Sequence, residues 1–295
     1  MQSRLVLGSA TYGTLTQFEV DQLLYTALES GINIVDTARG YENSEERIGA
    51  FLKRNCEIRV NSKCGLPNPS MFTPAGIKRS VEASLKCLGV EQINTLFVHS
   101  LPAEYLTEEN ISAMLSLKLE GKVHEIGYAG DGLNLGAAVK ITSFDNFMAT
   151  INIIDQSNFN QIRRIKPSAK VYFKLAMGQA VWTSLEWKNR IKSQAFIRGL
   201  FNKPPVPDSW KDYCARFSEF KLHFITSNFA EEFLKFALSA GSGDQFVILG
   251  TCSVTHIKEA VRIENELFNT RSWETARYSE LWEKRSSLDW IAHTG

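Results

Sequence analysis

No run of lysines or arginines appears anywhere in the 295 residues, and 33 basic against 32 acidic side chains leave a net charge of only +1. A nucleic-acid backbone is tracked by a basic stripe, so that partner class gets no support. Long apolar runs are missing too: nothing approaches the roughly 20 consecutive apolar residues of a membrane helix. The opening MQSRLVLGSATYG carries too short an apolar run for a secretory signal, and the expected setting is soluble and cytoplasmic, with no membrane partner. Cysteine is sparse. Cys56, Cys64, Cys87, Cys214 and Cys252 form no C-x-x-C pair and have no histidine at zinc-ligand spacing, so no metal site is expected and they read as reduced thiols. No Pro/Gly/Ser-rich linker divides the chain and no repeat of about 20 to 50 residues is visible, which assigns 1–295 to one domain.

What the chain does have is alternation. Val20, Leu23, Leu24, Ala27 and Leu28 fall on one helical face between Gln17 and Ser30, and Gly31 follows where a helix stops. The apolar, β-branched run INIVD is too short for a helix and reads as a buried strand. The rhythm then repeats: Ser44 is placed to cap a helix through EERIGAFLK, IRVNS reads as strand, and Thr73-Pro74 opens a helix carrying Ile77, Val81, Leu85 and Leu88 on one face. With RLVLG at the start and NTLFVHS, VHEIGYA, FMATINIID, AKVYFKL and QFVILG further on, eight strand candidates alternate mostly with helix-length stretches. That pattern predicts an α/β fold with a parallel sheet closed into a (β/α)8 TIM barrel. One long insertion, 202–228, interrupts the rhythm between the seventh and eighth strands, and its proline cluster marks a loop. The tail from Trp273 onward is expected as a helix on the outer wall.

Barrel chemistry sits where strands end, so polar residues at strand C-termini are the ones to question. Asp36 ends the second strand, Lys63 the third and His99 the fourth, while Tyr41 lies on the loop after the second. Consecutive barrel strands are neighbours, and these four side chains can converge without any long-range assumption. A lysine ammonium beside a phenol favours the phenolate, which makes Tyr41 a proton donor. Asp36 would hold Lys63 charged and pointed, and His99 would hydrogen-bond a substrate oxygen. Taken singly, each has an ordinary reading: a turn aspartate, a solvated lysine, a satisfied core histidine, an amphipathic tyrosine. The combination is what argues for a site. A Schiff-base role for Lys63 needs a neutral, unpaired amine, and the adjacent Asp36 argues against it.

DTARGYENSEE, VNSKCG and LFVHS, in that order, resemble the aldo-keto reductase family, with LGVEQINTLFVHS and LEGKVHEIGYA in support, and the resemblance can be followed from about residue 4 to 266. It implies a (β/α)8 barrel, a nicotinamide cofactor bound without a Rossmann fold, and Asp36, Tyr41, Lys63 and His99 as the catalytic set. DQSNF is similar to the family's N-Q-x-x-Y segment, which implies that Gln156 holds the carboxamide. VYFKLAMG resembles Y-S-P-L-A-x-G, which implies that Tyr172 stacks on the nicotinamide and that Leu175 lies along the backbone path beside it. The family's Ser-Asn pair after the fifth strand is replaced by Ala129-Gly130 in GYAGDG, and the residues before LAMG include Phe173 and Lys174 in place of serine and proline.

In VILGTCSVTHIKEAVR the resemblance places Gly250, Thr251, Ser253, His256 and Glu259 at the adenosine end of the cofactor. Thr251 and Ser253 would cradle a 2′-phosphate and Glu259 would meet the adenine, but Gly250 brings no charge and Ala260 replaces an amide. His256 and Arg262 are the nearby compensators. The implied activity is NAD(P)H-dependent reduction of an aldehyde or ketone, with NADPH only modestly preferred and NAD also accepted. The alternative is a cofactor-sensing or regulatory barrel with little turnover. Pro204, Trp210 and Phe217 in the insertion are candidates for substrate contact; the sequence names neither the substrate nor the oligomeric state.

Overall fold

Short β-branched runs too brief to fold back on themselves pair with one another in chain order, and here eight of them do. The computed structural model describes residues 3–55, 57–178, 228–240 and 244–269, together with Phe217 and Tyr278. Its strands are β1 (Leu5–Gly8), β2 (Ile34–Asp36), β3 (Arg59–Cys64), β4 (Ile93–His99), β5 (Val123–Ala129), β6 (Asn146–Thr150), β7 (Lys170–Lys174) and β8 (Gln245–Gly250). All pairings are parallel, and β8 returns to β1 to close the barrel. Parallel neighbours need crossovers, and the described helices supply them: α1 (Gln17–Glu29), α2 (Ser44–Leu52), α3 (Pro74–Leu88), α4 (Glu108–Leu119), α5 (Gly132–Ala138), α6 (Ser157–Ile165), α7 (Phe229–Leu238) and α8 (Val254–Asn269). The insertion from 202 to 227, apart from Phe217, and the tail from 270 onward, apart from Tyr278, lie outside the described residues.

Local sequence accounts for the helix ends. Thr16 and Glu19 form a reciprocal capping box at the start of α1. Thr73 accepts from the Gly76 N–H while Pro74 occupies the first turn of α3, and Gly89 ends that helix in the left-handed region at φ 67°. The apolar faces read from the sequence are those buried: Val20, Leu23, Leu24 and Ala27 on α1, and Ile77, Val81 and Leu88 on α3. Gly49 is where α2 presses on α3, since a Cβ there would stand 2.1 Å from the Cys87 carbonyl oxygen.

Two expectations need correction. Ser44 does not cap α2; Asn43 holds that position. Ser44 is instead the buried first residue of the helix, its hydroxyl 2.8 Å from Ser9 Oγ, 3.0 Å from Thr37 Oγ1 and 3.1 Å from the Ser9 carbonyl. It ties the loop after β2 to the end of β1. The strand expected through FMATINIID stops at Thr150, because the chain turns at Asn152 and Asp155, which bridge each other, and then enters α6.

The closed sheet has two cores. Outside, its apolar residues pack against the helices; inside, Val6, Ile34, Phe97, Ala129, Met148 and Tyr172 fill the barrel, with Phe246 and Ile248 against them. Inward positions recur every second residue along a strand. Asp36 is opposite Asn61, and Lys63, two residues on, faces the same way one step nearer the rim. Lys63 is in turn opposite Phe97, two residues below His99. The stagger of the barrel thus lifts three polar residues on adjacent strands above the apolar filling.

Candidate active site

A cavity of about 520 Å³ opens at the C-terminal face of the barrel, and Asp36, Tyr41, Lys63 and His99 all line it. Lys63 Nζ donates to Asp36 Oδ2 at 2.5 Å and to the Thr37 carbonyl at 2.9 Å. The same ammonium lies 4.9 Å from the centre of the Tyr41 ring, and the Tyr41 and His99 rings meet edge-on at 5.6 Å. Asp36, Lys63, Tyr41 and His99 therefore form one contiguous chain of contacts.

Their electrostatics follow from burial. Asp36 and Lys63 are almost wholly removed from solvent. Burial opposes the ammonium, but Asp36, then Tyr41, outweigh it and hold the Lys63 pKa above that of an ordinary lysine. Burial raises the Asp36 carboxyl, with Lys63 pulling the other way. For His99, burial, then the charges of Lys63 and Lys174, depress the pKa to about 3, so the imidazole is neutral at physiological pH. Its Nδ1 is buried without a partner. A neutral ring carries one proton, and a lone acceptor is the cheaper group to leave unpaired, which assigns the proton to Nε2 facing the cavity.

The loops that aim these groups are tightly held. Arg39 pairs with the buried Glu45 at 2.7 Å, and Glu45 also accepts from Ser62 Oγ at 2.8 Å, so the loop after β2 is fastened to β3. Glu42, Ser100 and Leu175 adopt positive φ, at 41°, 52° and 52°, on the loops after β2, β4 and β7. Left-handed non-glycine residues are uncommon; Ser100 and Leu175 line the cavity, and Glu42 follows Tyr41, which does.

The opposite rim departs from what the motifs imply. β7 offers two inward side chains, and the upper one, Lys174, takes the cavity wall. Tyr172 lies beneath it, 2% exposed, stacked on Phe246 at 4.9 Å and edge-on to Phe97 at 5.4 Å, with its phenol pushed up to about 12 by burial. A ring held in that way does not line the cavity; Leu175, by contrast, is 38% exposed on the cavity wall. Gln156, at the start of α6, is buried with neither amide atom paired, and it too is absent from the cavity lining. Ala129 lines the cavity, and Gly130 packs so closely on Tyr128 that a Cβ would stand 2.7 Å from the phenol oxygen.

At the start of α8 the expected phosphate ligands bond one another. Thr251 Oγ1 meets His256 Nδ1 at 3.2 Å and accepts from the Ser253 N–H at 3.1 Å, while Ser253 Oγ accepts from the His256 N–H as an ordinary helix cap. Arg262 is engaged by Glu259 at 2.7 Å, by Glu266, and by Glu231 of α7 at 3.6 Å. Among the described residues nothing lies within 4 Å of where a β-carbon on Gly250 would stand. Phe217, a candidate for substrate contact, packs instead on Phe229 and Phe233 of α7; Pro204 and Trp210 lie outside the described residues. Sequence reasoning passes over Asp131, which pairs with Lys174 at 2.8 Å. The available signal is the inward phase of Lys174, two residues after Tyr172. Among the described residues no three His, Cys, Asp or Glu side chains gather as a metal site, and no helix is long and apolar enough to cross a membrane.

Strand-end chemistry on a closed parallel barrel defines a class of catalytic barrels, and comparison with known proteins narrows it. The model of the aldo/keto reductase family matches residues 4–193, and the chain belongs to that family. Among curated relatives, the NADH-specific methylglyoxal reductase of Escherichia coli is 31% identical over 179 residues, 52% of this chain and 55% of that protein. A probable voltage-gated potassium channel subunit beta of Arabidopsis thaliana is 23% identical, over 70% of this chain and 66% of its own. The matched part thus spans about half the length of the Escherichia coli relative. Solved structures agree in fold: an aldo-keto reductase from Klebsiella pneumoniae in complex with NADPH has a TM-score of 0.69 at 17% identity, covering 100% of this chain and 95% of that one. A holo aldo-keto reductase from Bacillus halodurans scores 0.70 at 18% identity, over 95% and 92%.

Proposed function

We propose that the chain is an NAD(P)H-dependent carbonyl reductase that turns an aldehyde or ketone into an alcohol, with Tyr41 as the proton donor. The observation that carries this reading is the single cavity shared by Tyr41, the Asp36–Lys63 pair and a neutral His99. The Tyr41 hydroxyl donates its proton to the oxygen of the reacting carbonyl. Lys63 stands behind the ring to stabilise the phenolate that remains, and Asp36 keeps Lys63 charged and fixed. His99 Nε2–H donates a second hydrogen bond to the same oxygen, a task a neutral imidazole performs without adding charge.

The bound nicotinamide cofactor supplies the hydride. The residues present fit that group in part. Gly250 leaves room at the rim among the described residues, whereas the unpaired amide of Gln156 is buried off the cavity lining and meets a carboxamide only if it turns towards the cavity. Ala129-Gly130 offers no side-chain donor. At the adenosine end Arg262 is occupied by three carboxylates, which favours accepting NADH alongside NADPH. NADH is the cofactor in the name of the Escherichia coli relative, and NADPH the one in the Klebsiella structure.

The test is loss of reduced-nicotinamide absorbance with a panel of carbonyl compounds headed by methylglyoxal, which names that same relative. Turnover that disappears in Tyr41→Phe supports the proposal. Cofactor binding without oxidation for every carbonyl would favour a sensing barrel instead.

A further inference from the structure

The cavity holds a second cation that the proton-transfer chain does not use. Lys174 ends β7 and lines the cavity with Tyr41, Lys63 and His99. It is not a free-swinging surface lysine. Its ammonium is anchored by Asp131 at 2.8 Å, and the next residue, Leu175, takes a left-handed turn whose carbonyl accepts from Asn152 Nδ2 at 3.1 Å.

Asp131 does not cancel that charge within the cavity. It is buried behind the wall, and its carboxylate is divided among other donors: Oδ1 accepts from the Thr150 N–H at 2.7 Å and from Asn158 Nδ2 at 3.0 Å, and Oδ2 accepts from the Thr150 hydroxyl at 3.1 Å as well as from Lys174. The charged side chains among the described lining residues are Asp36, Lys63 and Lys174. Asp36 and Lys63 are committed to each other. What remains to face a ligand is the Lys174 ammonium, with three donors of which Asp131 takes one, in the same cavity as the carbonyl-binding pair Tyr41 and His99.

We propose that Lys174 receives a carboxylate carried by the substrate, so that the preferred substrates are oxo acids and aldehyde acids rather than neutral carbonyl compounds. This rests on the reductase reading. The substrate is then held at two points: its carbonyl oxygen by Tyr41 and His99, and its carboxylate by a cation on β7. Charge-assisted hydrogen bonds are the strong ones, and two fixed contacts set the orientation of the carbon between them.

The experiment uses the whole chain loaded with reduced cofactor and matched pairs: glyoxylate and its ethyl ester, succinic semialdehyde and its methyl ester. The acid is expected to exceed its ester in kcat/KM by about tenfold to a hundredfold, mainly through KM. Lys174→Met should bring the ratio close to one, and Lys174→Arg should keep part of it. A readout independent of turnover is equilibrium binding of succinate against succinamide, followed by calorimetry, where the wild-type chain should prefer the dianion and Lys174→Met should not. If no carbonyl is reduced, the reductase reading fails, and the succinate preference alone decides the role of Lys174. Equal ratios in the wild type and Lys174→Met overturn the proposal. So does a Lys174→Met chain that loses affinity for the cofactor while keeping its preference for acids, which would assign the ammonium to a cofactor phosphate.

Discussion

Around the rim of the barrel, the arc from β2 to β4 and the arc from β5 to β8 present their polar groups in different ways. The first is a chain of contacts in which every member depends on the next: Asp36 on Lys63, Lys63 on Tyr41, Tyr41 on His99. Outside it, Ser44 and the Arg39–Glu45–Ser62 links fasten the same loop. The second arc is a set of separable contacts. Gln156 waits unpaired, Tyr172 has sunk into the barrel filling, Lys174 and Asp131 form a pair of their own, and Arg262 is tied up by glutamates. Proton transfer tolerates little displacement, because a donor, its stabilising charge and an acceptor must all lie within hydrogen-bond reach. Binding energy comes from any of several donors, so under the proposed division of labour the second arc, which would only bind, can exchange them.

The largest effect is expected from removing the proposed acid. Tyr41→Phe deletes one oxygen and leaves the ring contacts with His99 and Lys63 in place. Turnover should fall by about a hundredfold to ten-thousandfold, with the circular dichroism spectrum and cofactor affinity unchanged. Rates within a few-fold of wild type would show that the first arc is structural only.

Next in size is the buried pair. Lys63→Met leaves Asp36 buried with a charge and no cation, a change that costs about 3 to 5 kcal/mol when one partner of a buried pair is removed. A denaturant titration should show that loss. The double variant Asp36→Asn, Lys63→Met should regain much of the stability and none of the activity. Activity in the double variant would contradict the dependence of Tyr41 on its neighbour.

How much of this is legible in the sequence differs between the arcs for a physical reason. Asp36 and His99 end mostly apolar strands and Lys63 stands one residue before the end of β3, and inward phase plus neighbouring strands is enough to bring them together. The capping residues of α3, Thr73 and Pro74, act within a few residues of chain and are equally plain. Tyr172 is not, because two residues of β7 face inward and the stagger of the closed barrel, not the strand itself, decides which reaches the rim. Two of the carboxylates on Arg262, Glu259 and Glu266, stand at helical spacing from it and are legible in the sequence, whereas the third, Glu231, comes from a helix about thirty residues earlier and is not. Ser44 looks like a cap by position, yet its hydroxyl partners, Ser9 and Thr37, come from other loops. The turn at Asn152–Asp155 that ends β6 is a pairing too short for periodicity to reveal.

A substitution at Gly250, which the family resemblance places at the adenosine end of the cofactor, tests the second arc. At Gly250 nothing among the described residues lies within 4 Å of where a β-carbon would stand, and its φ is not positive, so they leave room for a side chain there. In the wild type, NADPH should be bound no more than about tenfold more tightly than NADH. Gly250→Lys supplies the missing cation and should raise that ratio by about tenfold or more. Fluorescence titration of both reduced cofactors measures it. A wild-type preference of about a thousandfold would mean that another basic residue reaches the 2′-phosphate.

The smallest effect expected is on pH dependence, and it links the two arcs through His99. Burial depresses its pKa first, Lys63 from one arc adds to that, and Lys174 from the other adds the rest, giving about 3 against an ordinary 6.5. The sign follows from proton counting. Between about pH 6.5 and 3 the unfolded chain carries a proton on this imidazole and the folded chain does not, so the contribution of His99 to stability is fully present above 6.5 and is lost as pH falls towards 3. On the activity side, no inflection attributable to His99 is expected in kcat/KM near pH 6.5, since the ring stays neutral throughout. Lys174→Met removes only the last of the three causes, so the His99 pKa should rise by a fraction of its total depression and remain below 6.5. Imidazole NMR shifts followed through an acid titration would show this directly. A wild-type His99 that titrates near 6.5 would mean that water reaches the ring and that neither cation acts on it across the cavity.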